Sequence, residues 1–333
     1  MILVTGGTGL VGSHLLYHLS LQNDKIRAIY RTKTSLENVK KVFSFYTNDE
    51  KLFSKIEWIK ADITDVPSMI PVFVDVKQVY HCAAFISFNH KDYREMRKIN
   101  IHGTAIIVNL CIDAKVNKLC FVSSIASVGG SLNNALITEE NEWNKESDNS
   151  GYSITKFGAE MEVWRASQEG IKVIIVNPGV ILGSCFFNTG SGKLFSKAYN
   201  EFNYYTEGIT GFVSVQDVVN PMILLMNSDV KNERFILVSE NKSFKEIFFL
   251  MADAFNKKRP SKKIKPWQTS LFWKISWLIS IITGKEPLLS KYSARSAHSI
   301  SNYSSEKIKK TLNFEFERVK KTIENVCKNY TNY

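Results

Sequence analysis

The chain has 333 residues, 44% of them hydrophobic, and a formal net charge of +11 at pH 7. This length and apolar content indicate a globular protein with a large core and exclude a disordered chain. The five cysteines are odd in number and widely spaced, without a C-x-x-C pair, so neither a disulfide framework nor a metal site is predicted. The chain also starts directly on a predicted strand, which leaves no room for a signal peptide, and we expect a cytoplasmic protein.

The positive charge is concentrated at the C-terminal end. Residues 255–333 hold 17 Lys and Arg against 5 Asp and Glu, whereas the rest of the chain is close to neutral. A basic segment of this kind is usually a solvated helix surface, but attraction to an anionic substrate or a membrane remains open. No nucleic-acid motif accompanies it, so no nucleic-acid partner is predicted.

The first twelve residues, MILVTGGTGLVG, predict a buried strand, a glycine turn and the start of a helix. Unpaired backbone N–H groups and the positive end of the helix dipole meet at such a turn and suit a pyrophosphate. Gly6 or Gly7 permits the tight turn. Gly9 lets the backbone approach the phosphates, and Gly12 lets the helix pack on the strand. The predicted dinucleotide contacts are Thr5, Gly6, Gly7, Thr8, Gly9, Leu10, Val11 and Gly12.

The second predicted strand, 25–30, is followed by Arg31. In the dinucleotide fold, an acidic residue at this position accepts the ribose 2′-OH of NAD, whereas a cation suits the 2′-phosphate of NADP. No Asp or Glu lies between Ile26 and Leu36. We therefore predict NADP as the cofactor, with NAD as the alternative; an exposed basic loop is the alternative reading of Arg31.

Two further strand ends carry candidate cofactor contacts. Asp62, just after the third strand, could accept from the adenine amino group or cap the next helix, although Asp65 is the better placed cap. The fourth strand ends at His81, to which we assign no catalytic role. The small residues Ala83 and Ala84 that follow let a cofactor lie close.

The alternation of six strands with helices predicts an α/β fold, a doubly wound parallel sheet of the Rossmann type with a smaller C-terminal α/β substrate subdomain. We place the dinucleotide-binding domain at 1–183, with 212–240 returning to it. The substrate subdomain comprises 184–211 and 241–333. Within it, 271–282 predicts a buried helix or a substrate lid; an interfacial membrane helix is the alternative, because the segment is too short to span a bilayer.

Tyr152 and Lys156 form a Y-x-x-x-K pair that a helix would place on one face. A phenol has an ordinary pKa of about 10, and a nearby ammonium would bring it toward neutrality. A hydroxyl at the end of the fifth strand would donate to the substrate oxygen, and we choose Ser124 with Ser123 in reserve. These three groups predict proton transfer beside a cofactor that moves a hydride.

Taken together, these motifs resemble the extended short-chain dehydrogenase/reductase family, the NAD-dependent epimerase/dehydratase group. Within it the chain looks more like the dihydroflavonol reductase and 3β-hydroxysteroid dehydrogenase branch. The resemblance implies catalytic Ser, Tyr and Lys residues, an adenine-binding Asp, and a homodimer through the helices near 95–114 and 152–168. The matching stretches are TGGTGLVG at 5–12, ADITD at 61–65, HCAA at 81–84, Asn100 to Thr104, FVSS at 121–124, Tyr152 to Lys156, NPGVILG at 177–183 and FVSVQDV at 212–218.

The same resemblance adds Ile63, Pro178 and Val180 to the cofactor contacts, together with Tyr152 and Lys156. The leading functional hypothesis is an NADP-dependent reductase that interconverts a carbonyl and a secondary alcohol on a small, fairly apolar molecule. A nucleotide-sugar epimerase or dehydratase with tightly bound NAD(P) is the first alternative, since a basic C-terminal segment suits a diphosphate. A catalytically idle binding scaffold is the second.

Overall fold

A computed structural model describes residues 1–22, 25–130, 135–283 and 289–331. Residues 284–288 and 332–333 of the predicted substrate subdomain therefore lie outside the described residues. The strands within the described ranges are β1 (Ile2–Thr5), β2 (Ile26–Tyr30), β3 (Ile56–Lys60), β4 (Gln78–His81), β5 (Lys118–Val122), β6 (Lys172–Pro178), β7 (Val180–Leu182), β8 (Tyr204–Tyr205), β9 (Ile209–Ser214), β10 (Glu233–Leu237), β11 (Glu240–Ser243) and β12 (Lys262–Lys263).

The helices pack on both faces of the main sheet and build most of the C-terminal part. Over the same ranges they are α1 (Leu10–Ser20), α2 (Thr34–Tyr46), α3 (Lys51–Ser54), α4 (Val66–Met69), α5 (Tyr93–Met96), α6 (Gly103–Asp113), α7 (Gly151–Gln168), α8 (Gly192–Tyr199), α9 (Gln216–Met226), α10 (Phe244–Ala254), α11 (Pro266–Thr283), α12 (Lys291–Ser296), α13 (Glu306–Leu312) and α14 (Val319–Thr331).

The main sheet has seven parallel strands in the order β10-β6-β5-β4-β1-β2-β3. The chain begins at the centre with β1, winds outward to β3, and then returns to fill the other side from β4. Leu3 and Val4, neighbours on β1, are both fully buried in different hydrophobic clusters on the two faces. Burial on both faces is expected of a parallel sheet. The predicted doubly wound Rossmann sheet is thus confirmed.

A second, smaller group of strands and helices has its own sheet and its own hydrophobic cluster. Strands β7, β9 and β11 form a three-stranded sheet, beside which α8, α10 and α14 enclose a third cluster around Phe195, Phe212 and Ile323. Two segments pack with a different part of the fold from the one to which the predicted domain boundaries assign them. Within 212–240, β9 belongs to this small sheet, while α9 and β10 join the main one. Helix α13 packs on α9 and β10 through Ile308, because its apolar face fits the main core.

The long helix predicted over 95–114 is interrupted. A π-helical turn at Arg97–His102 separates α5 from α6. The turn contains Asn100, whose side chain bonds to both backbone groups of Phe85 and donates to Thr155 Oγ1 at 3.1 Å. Asn100 therefore ties the segment after β4 to α7.

Helix α11 differs from the expectation of a buried helix or lid. Its apolar residues face outward, with Trp267 62% and Trp277 54% exposed, whereas Ser276 and Ser280 are buried. The prediction of burial was wrong because the inward face is made of small hydroxyl residues. None of the helices in the described ranges is long and apolar enough to cross a bilayer.

Two buried histidines predict acid-sensitive stability. Burial lowers the pKa of His14 and of His81 to about 3, and His81 is held between Thr5 Oγ1 and Thr104 Oγ1 at 2.6 and 3.0 Å. Between pH 6.5 and 3 the unfolded chain binds more protons than the folded one, so stability falls as the pH falls. Each histidine should contribute about 1.4 kcal/mol per pH unit in that window.

The check is the free energy of unfolding in urea, measured from pH 6.5 to pH 4.5 for the wild type and for His81→Gln. We expect the variant to lose about 1.4 kcal/mol per pH unit of this dependence. His90→Gln, at an exposed position, should retain the wild-type slope. An unchanged slope in His81→Gln would contradict the account.

Candidate active site

The glycine turn after β1 is shaped by close backbone packing. Gly6 has a φ of +67°, a left-handed conformation that favours glycine, and a Cβ there would lie 2.5 Å from the Ala83 nitrogen. A Cβ on Gly12 would lie 2.2 Å from the Gly6 carbonyl oxygen. Gly6, rather than Gly7, is therefore the positive-φ residue, and Gly12 permits α1 to approach the turn itself.

Gly9 is constrained differently. It is the exposed N-cap of α1, without a side-chain cap, and a Cβ on it would meet only the Gly6 oxygen, at 3.5 Å. The chain itself thus leaves room beside Gly9, where the first amides of α1 have no partner within the helix. An open backbone cradle at a helix N-terminus suits a pyrophosphate. Thr8, Leu10 and Val11, all half-buried, border it.

The candidate adenosine end lies where β2 and β3 finish. Arg31 is exposed, while Asp62 is half-buried and accepts bonds from the Thr64 amide and hydroxyl at 2.9 and 2.8 Å. Burial raises the pKa of Asp62, but the Thr64 bonds and the nearby Arg31 and Lys98 outweigh it and hold the pKa below its ordinary value. The structure therefore brings an ionised carboxylate and a guanidinium close together at this edge.

The remaining residues predicted near the cofactor are a helix-cap candidate and several side chains around the strand ends. Asp65 occupies the N-cap of α4 but makes no side-chain cap bond. Ile63 is buried and contacts the Gly103 position, so its side chain serves packing. Among the other predicted cofactor contacts, buried Thr5, half-buried Ala83, exposed Ala84 and buried Pro178 lie at or just beyond strand ends of the main sheet. Half-buried Val180 begins β7 of the three-stranded sheet.

The first turn of α7 carries Tyr152. Ser150 caps this helix by accepting from the Ser153 amide at 2.9 Å, which fixes where the helix begins. The Ser124 side chain is next to the Tyr152 phenol and acts to lower its pKa, and Ser124 Oγ accepts from the Ala126 amide at 3.1 Å. Ser123 is buried and bonds to Ser127 Oγ at 2.9 Å instead. Of the two serines, Ser124 is therefore the one beside Tyr152.

Lys156, one turn further along α7, is almost completely buried. Its Nζ donates to the Val122 carbonyl at 2.8 Å and lies 4.3 Å from the centre of the Phe121 ring. Burial lowers the pKa of Lys156 to about 8, while Glu160 and Cys82 act in the opposite direction. The ammonium form therefore predominates at neutral pH.

The acidity of Tyr152 departs from the sequence-based expectation. Burial raises the pKa of Tyr152 to about 12, Ser124 opposes that shift, and Tyr292 adds to it. Lys156 is not among the groups that act on this pKa in this structure, and its tuning of Tyr152 beside a nicotinamide stays a prediction. The reason for its absence is geometric, since the Lys156 ammonium is held at the Val122 carbonyl while burial dominates at the phenol.

A buried polar network supports this arrangement, and the sequence-based reasoning missed it. Glu160 Oε1 accepts from Ser127 Oγ and from Asn177 Nδ2, both at 2.6 Å, and Glu160 Oε2 lies 3.8 Å from Arg234 Nη1. Asn177 Nδ2 also donates to the Ser124 carbonyl at 3.1 Å. The carboxylate thus links α7 to the ends of β5 and β6. In the sequence, Glu160 could have been found from its position four residues after Lys156.

Aromatic residues from distant parts of the chain meet Tyr152. The Phe88 ring is edge-on to Tyr152, with centroids 5.9 Å apart, and stacks on Tyr292 of α12 at 5.8 Å. Burial raises the pKa of Tyr292, and the nearby Ser150 side chain opposes that shift. No local sequence pattern indicates these contacts, because residues 88, 152 and 292 meet only in the folded chain.

Comparison with known proteins identifies the family. Residues 4–227 match the NAD-binding family described as male sterility protein. The chain belongs to this male sterility protein family. It is an NAD(P)-binding enzyme of the extended short-chain dehydrogenase/reductase type, which confirms the family resemblance.

Proteins similar to this chain in sequence or structure have several different names. Sterol demethylase protein B of Methylococcus capsulatus is 26% identical, over 79% of this chain and 77% of that protein. A putative dihydroflavonol 4-reductase of Synechocystis is 24% identical, over 85% and 81%. UDP-glucose 4-epimerase of Thermotoga maritima is 18% identical with a TM-score of 0.78, over 99% and 98%, a likeness in fold.

Proposed function

We propose that the protein is an NADP-dependent reductase that interconverts a carbonyl and a secondary alcohol on a small, fairly apolar molecule. The observation that carries the proposal is the Lys156 ammonium, buried one turn along α7 from Tyr152 and bonded to the Val122 carbonyl; the Ser124 side chain next to the Tyr152 phenol supports it. A dihydroflavonol 4-reductase and an anthocyanidin reductase among the similar proteins support a reductase.

When bound, the nicotinamide cofactor supplies or accepts the hydride. The Tyr152 phenol, whose raised pKa keeps it protonated at neutral pH, donates its proton to the substrate oxygen during reduction. Ser124 donates to the same oxygen and orients it. Lys156 provides positive charge beside the site and would hold the cofactor's ribose hydroxyls, and the glycine turn would bind the pyrophosphate through the amides that begin α1.

We infer an apolar substrate from the aromatic rings beside Tyr152. Phe88, 46% exposed, and the half-buried Tyr292 offer aromatic surface beside Tyr152. Flat or fused-ring molecules pack well on such surfaces. The names of the similar proteins, which include a dihydroflavonol reductase and a sterol demethylase protein, support the same class.

A nucleotide-sugar epimerase is a second candidate. Lys291 and Arg295 flank Tyr292 on α12, and both form ion pairs with Asp148, so two cations stand near the site where a diphosphate could bind. Cofactor that survives gel filtration, without net NADPH consumption, would favour this candidate. Net consumption of NADPH with ketones favours the reductase.

We also propose the division into a dinucleotide-binding domain and a substrate subdomain, and a homodimer through α6 and α7. Ile154 and Met161 support the dimer, because they are 38% and 42% exposed and lie two turns apart on one face of α7.

The choice of NADP can be tested by Arg31→Ala. Loss of a guanidinium that binds the 2′-phosphate should weaken NADPH binding about 10- to 100-fold and leave NADH binding nearly unchanged. Lys33→Ala, two residues along the same exposed segment, is the control and should have a smaller effect. Equal losses for NADPH and NADH, measured by fluorescence titration, would remove Arg31 from phosphate recognition.

The catalytic role of Tyr152 can be tested by Tyr152→Phe. We expect turnover of a panel of aromatic and alicyclic ketones, followed by NADPH consumption, to fall about 10²- to 10⁴-fold because the general acid is lost. NADPH affinity should persist. The matched control is Tyr199→Phe, which removes a phenol from a distant, 38% exposed position. Wild-type turnover in Tyr152→Phe would refute the proposed mechanism.

A further inference from the structure

Helix α11 has its polar side toward the protein core and its apolar side outward. The residues that face inward are small and hydroxylated: Thr269, Ser276 and Ser280 are 6%, 5% and 2% exposed. The residues that face outward are large and apolar, and each is about half exposed; they are Trp267, Leu271, Phe272, Ile275, Trp277, Leu278, Ile279 and Ile281. A surface helix of a globular protein normally shows the opposite arrangement.

The inward hydroxyls are satisfied within the fold. Thr269 Oγ1 donates to the Pro266 carbonyl at 2.9 Å and lies 3.0 Å from His298 Nε2. Ser276 Oγ accepts from the Leu289 amide at 3.3 Å, and Ser280 Oγ donates to the Trp277 carbonyl at 2.9 Å. The bonds of Thr269 to His298 and of Ser276 to Leu289 join this side of α11 to the segments at 298 and 289, whereas the other two lie within the helix. The apolar side is therefore the side that faces outward.

Exposed lysines lie on and next to the apolar face. Residues 256–300 contain ten Lys and Arg and a single Glu, and four of these cations, Arg259, Lys263, Lys291 and Arg295, pair with acidic residues elsewhere in the chain. Among the others, Lys265 and Lys274 are exposed on or next to α11, and Lys258 and Lys262 are exposed on the segment that leads into it. A second copy of the chain placed on this face would bring two such basic surfaces together, which like-charge repulsion opposes. An anionic surface, in contrast, is complementary in charge to the lysines on and next to α11.

We propose that α11 lies in the plane of a lipid surface that contains anionic headgroups, with its outward apolar residues inserted at the boundary with the acyl chains. A large apolar face, Trp side chains and a basic rim form the combination that interfacial helices use. The chain would lie on the membrane rather than cross it, which agrees with the absence of a spanning helix among the described residues.

This contact places the candidate active site near the lipid. Helix α11 packs on α12, and α12 carries Tyr292, whose ring stacks on Phe88 beside Tyr152. An apolar substrate that leaves the bilayer at α11 would then have to pass only α12 to reach Tyr152. This step rests on the proposed function, whereas the lipid contact does not.

The test is co-sedimentation of the full chain with vesicles of phosphatidylcholine and phosphatidylglycerol, compared with vesicles of phosphatidylcholine alone. The test variant is Ile275→Glu with Ile279→Glu, two residues 47% and 53% exposed on one face of α11. The matched control is Ile70→Glu with Val74→Glu, 57% and 58% exposed elsewhere. Both variants change the net charge equally.

We expect the wild type and the control pair to bind the anionic vesicles with similar affinity and the α11 pair to bind at least about tenfold more weakly. Binding should weaken on neutral vesicles and at high salt. NADPH titration of each variant confirms that the dinucleotide site is intact, and because sedimentation needs no turnover, failure of the reductase proposal would not affect the result.

Two outcomes would overturn the proposal. One is a wild type that binds neither kind of vesicle, or an α11 pair that binds as well as the control. The other is a wild type that self-associates in light scattering, does not sediment with vesicles, and becomes monomeric in the α11 pair. In that case the face would be an interface between copies.

Discussion

The candidate site depends on one buried ammonium. Lys156 is 1% exposed, and a charge in that position is costly unless it is bonded and compensated. The Val122 carbonyl, the Phe121 ring and the Glu160 carboxylate supply that compensation. All three partners are tied to the ends of β5 and β6 or to α7. The bonds that satisfy Lys156 therefore tie the first turns of α7, and with them Tyr152, to the end of β5.

Much of this architecture was readable from the sequence because it is local. The glycine turn, the alternation of strands and helices and the four-residue spacing of Tyr152 and Lys156 all follow from backbone rules that act over a few residues. The sequence favoured Ser124 but kept Ser123 in reserve, because both follow the same strand. The bond of Ser123 to Ser127 is a structural reason for the same preference.

The features that the sequence concealed depend on distant contacts. The Tyr292 ring reaches Tyr152 through Phe88, and the raised pKa of Tyr152 results from the burial that these segments create. Helix α11 was misjudged for a related reason. Its apolar composition favours burial, and only the hydrogen bonds of Thr269 and Ser276 to residues 298 and 289 reveal which side faces inward.

The central claim is that the Tyr152 phenol and the Ser124 hydroxyl act on one substrate oxygen beside the cofactor. A crystal structure with NADP and a ketone or alcohol bound tests it most directly. The account predicts the substrate oxygen at about 2.6–3.2 Å from both Tyr152 Oη and Ser124 Oγ, with the glycine turn on the pyrophosphate. A substrate bound elsewhere, or a Tyr152 hydroxyl turned away from the nicotinamide, would contradict it.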